Sequence, residues 1–174
     1  MEKLQYIVIM LLGICVSSCI YTSQNLNEEG KDKFQALEIT AVPKGLLHFD
    51  TTYVAIYSDI YSENKDTRFN LTATLSLRNT SLKHSIYITA VDYYDTWGEN
   101  IKSYLVTPVK LKPMQSVEYV IDEKDTEGGT GANFVIYWSS ESTLVEPIFE
   151  GIMISTNGQQ GISFSTKGIS ISNK

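Results

Sequence analysis

The chain is 174 residues long, enough for one domain with appendages, and it carries a formal net charge of -6. An acidic chain without a basic stripe is a poor partner for nucleic acid, whose phosphates need clustered Lys and Arg. Its overall charge also argues against electrostatic attraction to anionic lipid headgroups.

Residues 1–18, MEKLQYIVIMLLGICVSS, have the organisation of an export signal. Lys3 lies in a short charged start, and an apolar run follows from Tyr6 to Val16. That run is shorter than the roughly 20 residues of a comfortable membrane-spanning helix, but it suits the hydrophobic region of a secretory signal. Val16-Ser17-Ser18-Cys19 resembles a lipobox: an aliphatic residue, two small residues, then cysteine. The resemblance implies cleavage after Ser18, lipid (palmitate-type acyl chains included) on Cys19, and a mature protein anchored to a membrane in the bacterial cell envelope, outside the cytoplasm. Two or more acyl chains make such an anchor stable where one is marginal. Cys15 falls within the signal and Cys19 is consumed by lipid, so the mature domain has neither a disulfide nor a free thiol. Residues 19–34 are polar and lack periodicity, which reads as a flexible tether with a span of roughly 20 Å.

From residue 35 to residue 174 the pattern is that of short strands. Ala36–Ala41 and Tyr53–Tyr57 are the first expected strands. In Phe69–Arg78, Phe69, Leu71, Ala73, Leu75 and Leu77 share one face and polar residues the other, as in a half-buried antiparallel strand. Asn79-Thr80-Ser81 supplies turn chemistry, and a strand from Ile86 to Tyr94 closes at Asp95-Thr96-Trp97-Gly98. Ile101–Val106, then Val109 and Leu111, then Val117, Tyr119 and Ile121 continue the alternation. A charged, glycine-rich loop runs from Asp122 to Gly131. Phe134, Ile136 and Trp138 alternate again, Pro147 opens a strand through Ser155, and Asn157-Gly158 marks a turn before Ile162, Phe164, Ile169 and Ile171. About nine short strands with no helical periodicity predict an all-β antiparallel sandwich, of the immunoglobulin or fibronectin-like type without its disulfide.

Several runs together resemble a bacterial family, the domain of unknown function numbered three-one-two-four. They are LSLRNTS (Leu75–Ser81), ITAVDYYDTWGE (Ile88–Glu99), SYL (Ser103–Leu105), DTEGGTGANFVIYW (Asp125–Trp138), EPIFEGIMIS (Glu146–Ser155) and NGQQGISFSTKG (Asn157–Gly168). The resemblance spans Tyr53 to Gly168. It implies an exported, often lipid-anchored protein and supplies no reaction, ligand or catalytic residue.

The residues themselves offer little catalysis. His48 and His84 are the only histidines and belong to no pair at metal-ligand spacing. No G-x-S-x-G elbow occurs. Glu146 and Glu150 are the carboxylate pair that a carbohydrate hydrolase would use, but a bulge at Gly151 is expected to return Glu150 to solvent. Calcium has a weak candidate in Asp122, Asp125 and Glu127, with Glu123 beside them, and a weaker one in Asp92, Asp95 and Glu99; neither has EF-hand spacing, so no cofactor is expected.

The remaining signal is recognition chemistry. Gly128, Gly129 and Gly131 allow close backbone approach, while Asn133, Asn157, Gln159 and Gln160 offer donors and acceptors. With Trp97 they make a candidate binding surface on loops. Tyr and Trp are too numerous for one core face, so some should be exposed. The expectation is a non-enzymatic binding or structural module for an envelope protein or glycan. A carbohydrate hydrolase and a calcium-stabilised domain are the alternatives.

Overall fold

The computed structural model describes residues 35–157 and 160–172. The signal, Cys19 and the tether lie outside the described residues, as do Gln159 and the side chain of Asn157. Residues Glu38–Lys174 form one compact unit.

The strands in chain order are β1 (His48–Ala55), β2 (Asp59–Ser62), β3 (Asn64–Asn70), β4 (Thr72–Arg78), β5 (Ile86–Tyr94) and β6 (Asn100–Ser103). They continue as β7 (Val109–Leu111), β8 (Ser116–Ile121), β9 (Asn133–Ser140), β10 (Ile148–Asn157), β11 (Gln160–Lys167) and β12 (Ile169–Ser170). One sheet has the order β12-β1-β9-β5-β6, with β7 also paired to β5. A second has the order β11-β10-β4-β8, and β2-β3 is a separate hairpin. All pairings are antiparallel.

The all-β sandwich architecture is thus as the alternation predicts. Leu71, Ala73, Leu75 and Leu77 are fully buried, as one face of β4 and its lead-in requires. Val54, Ile86, Ile88, Val91, Phe134 and Ile136 of the other sheet's strands are fully buried in the core with them. Trp138 is buried too, and its indole N–H donates to Thr52 Oγ1 at 3.0 Å, satisfying the one polar atom of the ring. In the immunoglobulin order the seventh strand pairs with the sixth. Here β10 crosses to pair with β4, and β1 lies beside β9.

Several boundaries differ from the sequence expectation. Ala36–Ala41 is not a strand; Glu38 alone bridges Val109. The long expected strand Phe69–Arg78 breaks at Leu71, whose N–H turns away to Ser58 O at 2.9 Å. The hairpin β2-β3 was not anticipated, because Asn64–Asn70 is almost wholly polar and exposed and has no alternation to read. In β10 the inward set is Phe149, Gly151, Met153 and Ser155, so Glu150 faces out with Ile148, Ile152 and Ile154. Glu150 reaches solvent by parity, without a bulge: its register with β4 is continuous. Gly151 is instead a point of close approach. A Cβ there would lie 2.8 Å from Ile56 Cδ1 and 3.0 Å from Ala55 O, so only glycine lets the end of β1 cross over β10.

The two ends of the sandwich differ in what they carry. At the upper end, Ala55 of β1 and Tyr94 of β5 pair with Asn133 of β9. The β2-β3 hairpin, the turn after β5 and the loop before β9 all gather there. At the lower end, Ser140 of β9 pairs with both His48 and Ile86, and Arg78 of β4 pairs with Ser116 and Ile148. Buried Asn79 ties that end together, its side-chain amide donating to the carbonyls of His84, Leu111 and Lys112.

Candidate functional site

Three upper-end segments enclose a cleft of about 280 Å³, at the small end of the ligand-pocket range. They are the hairpin (Tyr61, Arg68), the turn after β5 (Asp95–Trp97) and the loop before β9 (Thr126–Thr130).

Each segment is fixed by local chemistry. Asp95 Oδ1 accepts from the backbone N–H groups of Trp97 and Glu99 at 2.8 and 2.9 Å, an Asx turn that presents Trp97 at the tip. Thr96 staples this turn to the glycine loop: its hydroxyl donates to Gly128 O at 2.9 Å and accepts from Gly131 N–H at 2.9 Å. Ser58, just before β2, holds the loop from the other side. Its Oγ accepts from Gly129 N–H at 2.8 Å, and its backbone N–H donates to Gly129 O at 3.2 Å. Gly129 has φ +72°, a left-handed conformation that glycine adopts without cost, inside a short 3-10 turn from Gly129 to Gly131.

Beneath the loop lies Tyr93, 2% exposed and stacked at 4.9 Å on Phe134. A Cβ on Gly128 would sit 1.9 Å from the Tyr93 hydroxyl, so the loop rests directly on the phenol. That hydroxyl makes no hydrogen bond of good geometry among the described residues, although Ser58 lies beside it. Burial foremost, then the carboxylate of Asp125, pushes its ionisation far above the ordinary phenol value.

The hairpin contributes an ion pair. Arg68 Nη1 donates to both carboxylate oxygens of Asp59, at 3.1 and 3.0 Å, and the Asp59 side chain is 4% exposed. The guanidinium carbon lies 5.3 Å from the centre of the Tyr61 ring. Asp59 therefore raises the already high pKa of Arg68 and fixes its fork, while the rest of the guanidinium borders the cleft. Trp97 is 87% exposed and Tyr61 55%, so two aromatic rings flank a cleft lined by hydroxyls and carboxylates of Thr96, Thr130, Asp95 and Glu127.

The structure thus brings together Trp97, Gly128, Gly129 and Gly131. Asn133 is not part of the cleft: it opens β9 and is half-buried between Ala55 and Tyr94. Gln160 pairs with Asn157 and faces Ser62 and Phe69 across a separate shallow depression on the other side of the hairpin. Asp125 Oδ1 accepts from Glu127 N–H at 3.3 Å, a loop-internal contact. Among the described residues no three His, Cys, Asp or Glu side chains converge as metal ligands, and this covers Asp122, Asp125 and Glu127. Glu150 lies on the outer face of its sheet, 3.5 Å from Arg78, and Glu146 is exposed in the preceding loop. His48 stacks at 5.0 Å on Trp138, and His84 lies 4.0 Å from Glu141. Sequence reasoning missed Asp59 and Arg68. Their pairing depends on the hairpin register, which sets Asp59 opposite Asn70 and Arg68 opposite Tyr61.

Among curated proteins none matches the chain. One similar solved structure is the crystal structure of Thermotoga maritima 1070, at 15% identity, covering 73% of this chain and 96% of that one, with a TM-score of 0.37. A family profile described as Protein of unknown function (DUF3124) matches residues 49–171, which takes in every strand pairing partner from Phe49 to Ser170 and the whole cleft. The chain belongs to that family.

Proposed function

We propose that the protein is a lipid-anchored, non-catalytic binding module of the bacterial cell envelope, and that its upper cleft holds a saccharide. The observation that carries this reading is the pair of exposed rings, Trp97 and Tyr61, across a small polar cleft. Exposing a tryptophan to this degree at the tip of a rigid turn has no folding benefit, because its apolar surface stays in water. A sugar ring supplies the missing partner: an apolar C–H face for the indole and hydroxyls for the polar wall. Arg68 offers donors in a fixed fork, while Asp95 and Glu127 offer acceptors. The local charge is negative, which favours neutral over acidic sugars.

The anchor rests on the amino-terminal sequence: the apolar run to Val16, then Ser17 and Ser18 before Cys19. Mass spectrometry of protein isolated from membranes should find diacylglycerol-modified Cys19 at the amino terminus, and Cys19→Ala should release the protein from membranes. An unmodified mature start elsewhere would sink the anchor.

The saccharide reading is tested on a glycan array probed with the full chain and with Trp97→Ala and Tyr61→Ala. Binding to a subset of neutral glycans, lost in both variants, supports it. Equal binding by all three proteins, or no glycan bound, overturns it.

A further inference from the structure

The lower end carries a different surface. Three of its loops join one sheet to the other: residues 79–85 link β4 to β5, residues 112–115 link β7 to β8, and residues 141–147 link β9 to β10. The fourth segment, residues 42–47, leads into β1. Each presents one large apolar side chain to solvent at or near its tip: Leu47 is 66% exposed, Leu82 79%, Met114 65% and Leu144 88%. Phe49 and Ile148, at the starts of β1 and β10, are 69% and 40% exposed beside them.

Met114 is held there at a cost. It sits at the third position of a turn whose Gln115 N–H donates to Lys112 O at 3.1 Å, with Pro113 before it. Its φ is +63°, in the region that such a turn reserves for glycine or asparagine. Its side chain is 65% exposed, so burial does little to offset that strain.

Charge follows the same division. Lys44, Lys83 and Lys112 are all exposed in these loops, close in sequence to Leu47, Leu82 and Met114 respectively. Two glutamates share the end. Glu146 is exposed, while Glu141 is engaged by the Tyr87 hydroxyl and the Ser85 N–H. At the upper end, the turn and loop 95–99 and 122–131 hold Asp95, Glu99, Asp122, Glu123, Asp125 and Glu127 against Lys124. The overall charge of -6 is therefore unevenly placed.

We propose that the lower end rests on an anionic lipid bilayer, with Leu47, Leu82, Met114 and Leu144 in the headgroup–acyl boundary and Lys44, Lys83 and Lys112 at the level of the phosphates. Separate aliphatic tips interleaved with lysines suit a layered lipid surface: the apolar ends reach the boundary while the ammonium groups stay at the phosphates. A protein partner is the weaker fit, since the four tips stand on different loops and none of them lines the depression that His48, Glu146, Ile148 and Phe149 border at that end. Docked this way, the acidic end is held away from the phosphates and the aromatic cleft opens away from the membrane. The proposal is independent of what the cleft binds.

The test uses the full chain reconstituted into vesicles of phosphatidylethanolamine with phosphatidylglycerol, and into vesicles of phosphatidylcholine alone. Leu82→Trp and Leu144→Trp each add a fluorophore at an exposed position. In the anionic vesicles both should gain a blue-shifted emission quenched by brominated acyl chains, by at least twofold over the wild-type background of Trp97 and Trp138. Lys83→Glu combined with Lys112→Glu should reduce that quenching. Three results would overturn the proposal: no added quenching, equal quenching in phosphatidylcholine, or a blue shift that bromolipids do not quench, which would mean protein rather than lipid covers the end. Thermal melts of the variants in detergent confirm that each remains folded.

Discussion

Gly128→Ala puts the packing of the cleft floor to the test. The backbone at Gly128 has φ -68° and ψ -36°, which any residue adopts, so conformation alone forbids nothing. Space does. The new methyl carbon would lie 1.9 Å from the Tyr93 hydroxyl, 2.7 Å from Tyr93 Cζ and 2.7 Å from Ala132 Cβ. An unstrained carbon–oxygen contact is about 3.3 Å or more, so the phenol or the loop must move by roughly an ångström. Tyr93 is 2% exposed and stacked on Phe134, and the loop is stapled by Thr96 and Ser58, so neither moves freely. Overpacking of this kind costs about 1–3 kcal/mol. With a urea slope of about 2 kcal/mol per molar, the unfolding midpoint should fall by roughly 0.5–1.5 M. Tyr93→Phe removes the nearest atom but leaves the ring carbon, so it should rescue Gly128→Ala in part. A coupling of about 0.5 kcal/mol or more in the double-mutant cycle is expected. Gly128→Ala with an unchanged midpoint, or strict additivity with Tyr93→Phe, would refute the contact.

Other substitutions separate structure from recognition. Trp97→Ala and Tyr61→Ala alter exposed side chains and should shift stability by less than about 0.5 kcal/mol in urea titrations, while saccharide capture falls. Met114→Gly relieves the positive φ and should raise the unfolding midpoint, an effect of about 1 kcal/mol, while weakening attachment to anionic vesicles. Glu141 is held below the usual carboxylate value first by the Tyr87 hydroxyl at 2.6 Å, with the Ser85 N–H, Lys110 and His84 adding and burial opposing. A folded pKa below the unfolded one gives stability that is present in full above the unfolded value of about 4.5 and is lost as pH falls through the folded value. Glu141→Gln should therefore melt below the wild type at pH 7, with the gap closing as the pH falls below the unfolded value of about 4.5 and through the lower folded value. The same contact, together with burial as the larger cause, pushes Tyr87 up to about 12. Tyr87→Phe should cost about 1 kcal/mol at neutral pH in the same melts.

The fold was legible where one face is dry. The alternation of Leu71, Ala73, Leu75 and Leu77 located β4 because burial of that face is complete. In β10 the bulge expected at Gly151 is absent: the register with β4 is continuous, Phe149 and Met153 point inward, and Gly151 meets Ala55 across the sheets. That constraint is three-dimensional and leaves no periodic trace. The site was half legible. Trp97 and the glycines stood out by residue type, and the structure joins them through Thr96. Asp59 and Arg68 sit on a polar hairpin with no alternation, and their pairing at 3.0 Å arises only when β2 and β3 close. The division of charge between the two ends was hidden for a related reason: the loops that share an end are far apart in sequence.

The central claim, that the upper cleft is the recognition site, is tested most directly by the indole N–H resonances. The chain has two tryptophans. Trp138 is buried with its indole N–H bonded to Thr52 at the lower half of the sandwich, and Trp97 stands exposed at the cleft. Titrating the ¹⁵N-labelled full chain with the best array saccharide should move the Trp97 indole signal with saturation, together with amides of Thr96 and residues 126–130. The Trp138 signal should stay in place. Movement of Trp138 with Trp97 unchanged, or saturable binding that leaves both signals untouched, would contradict the account.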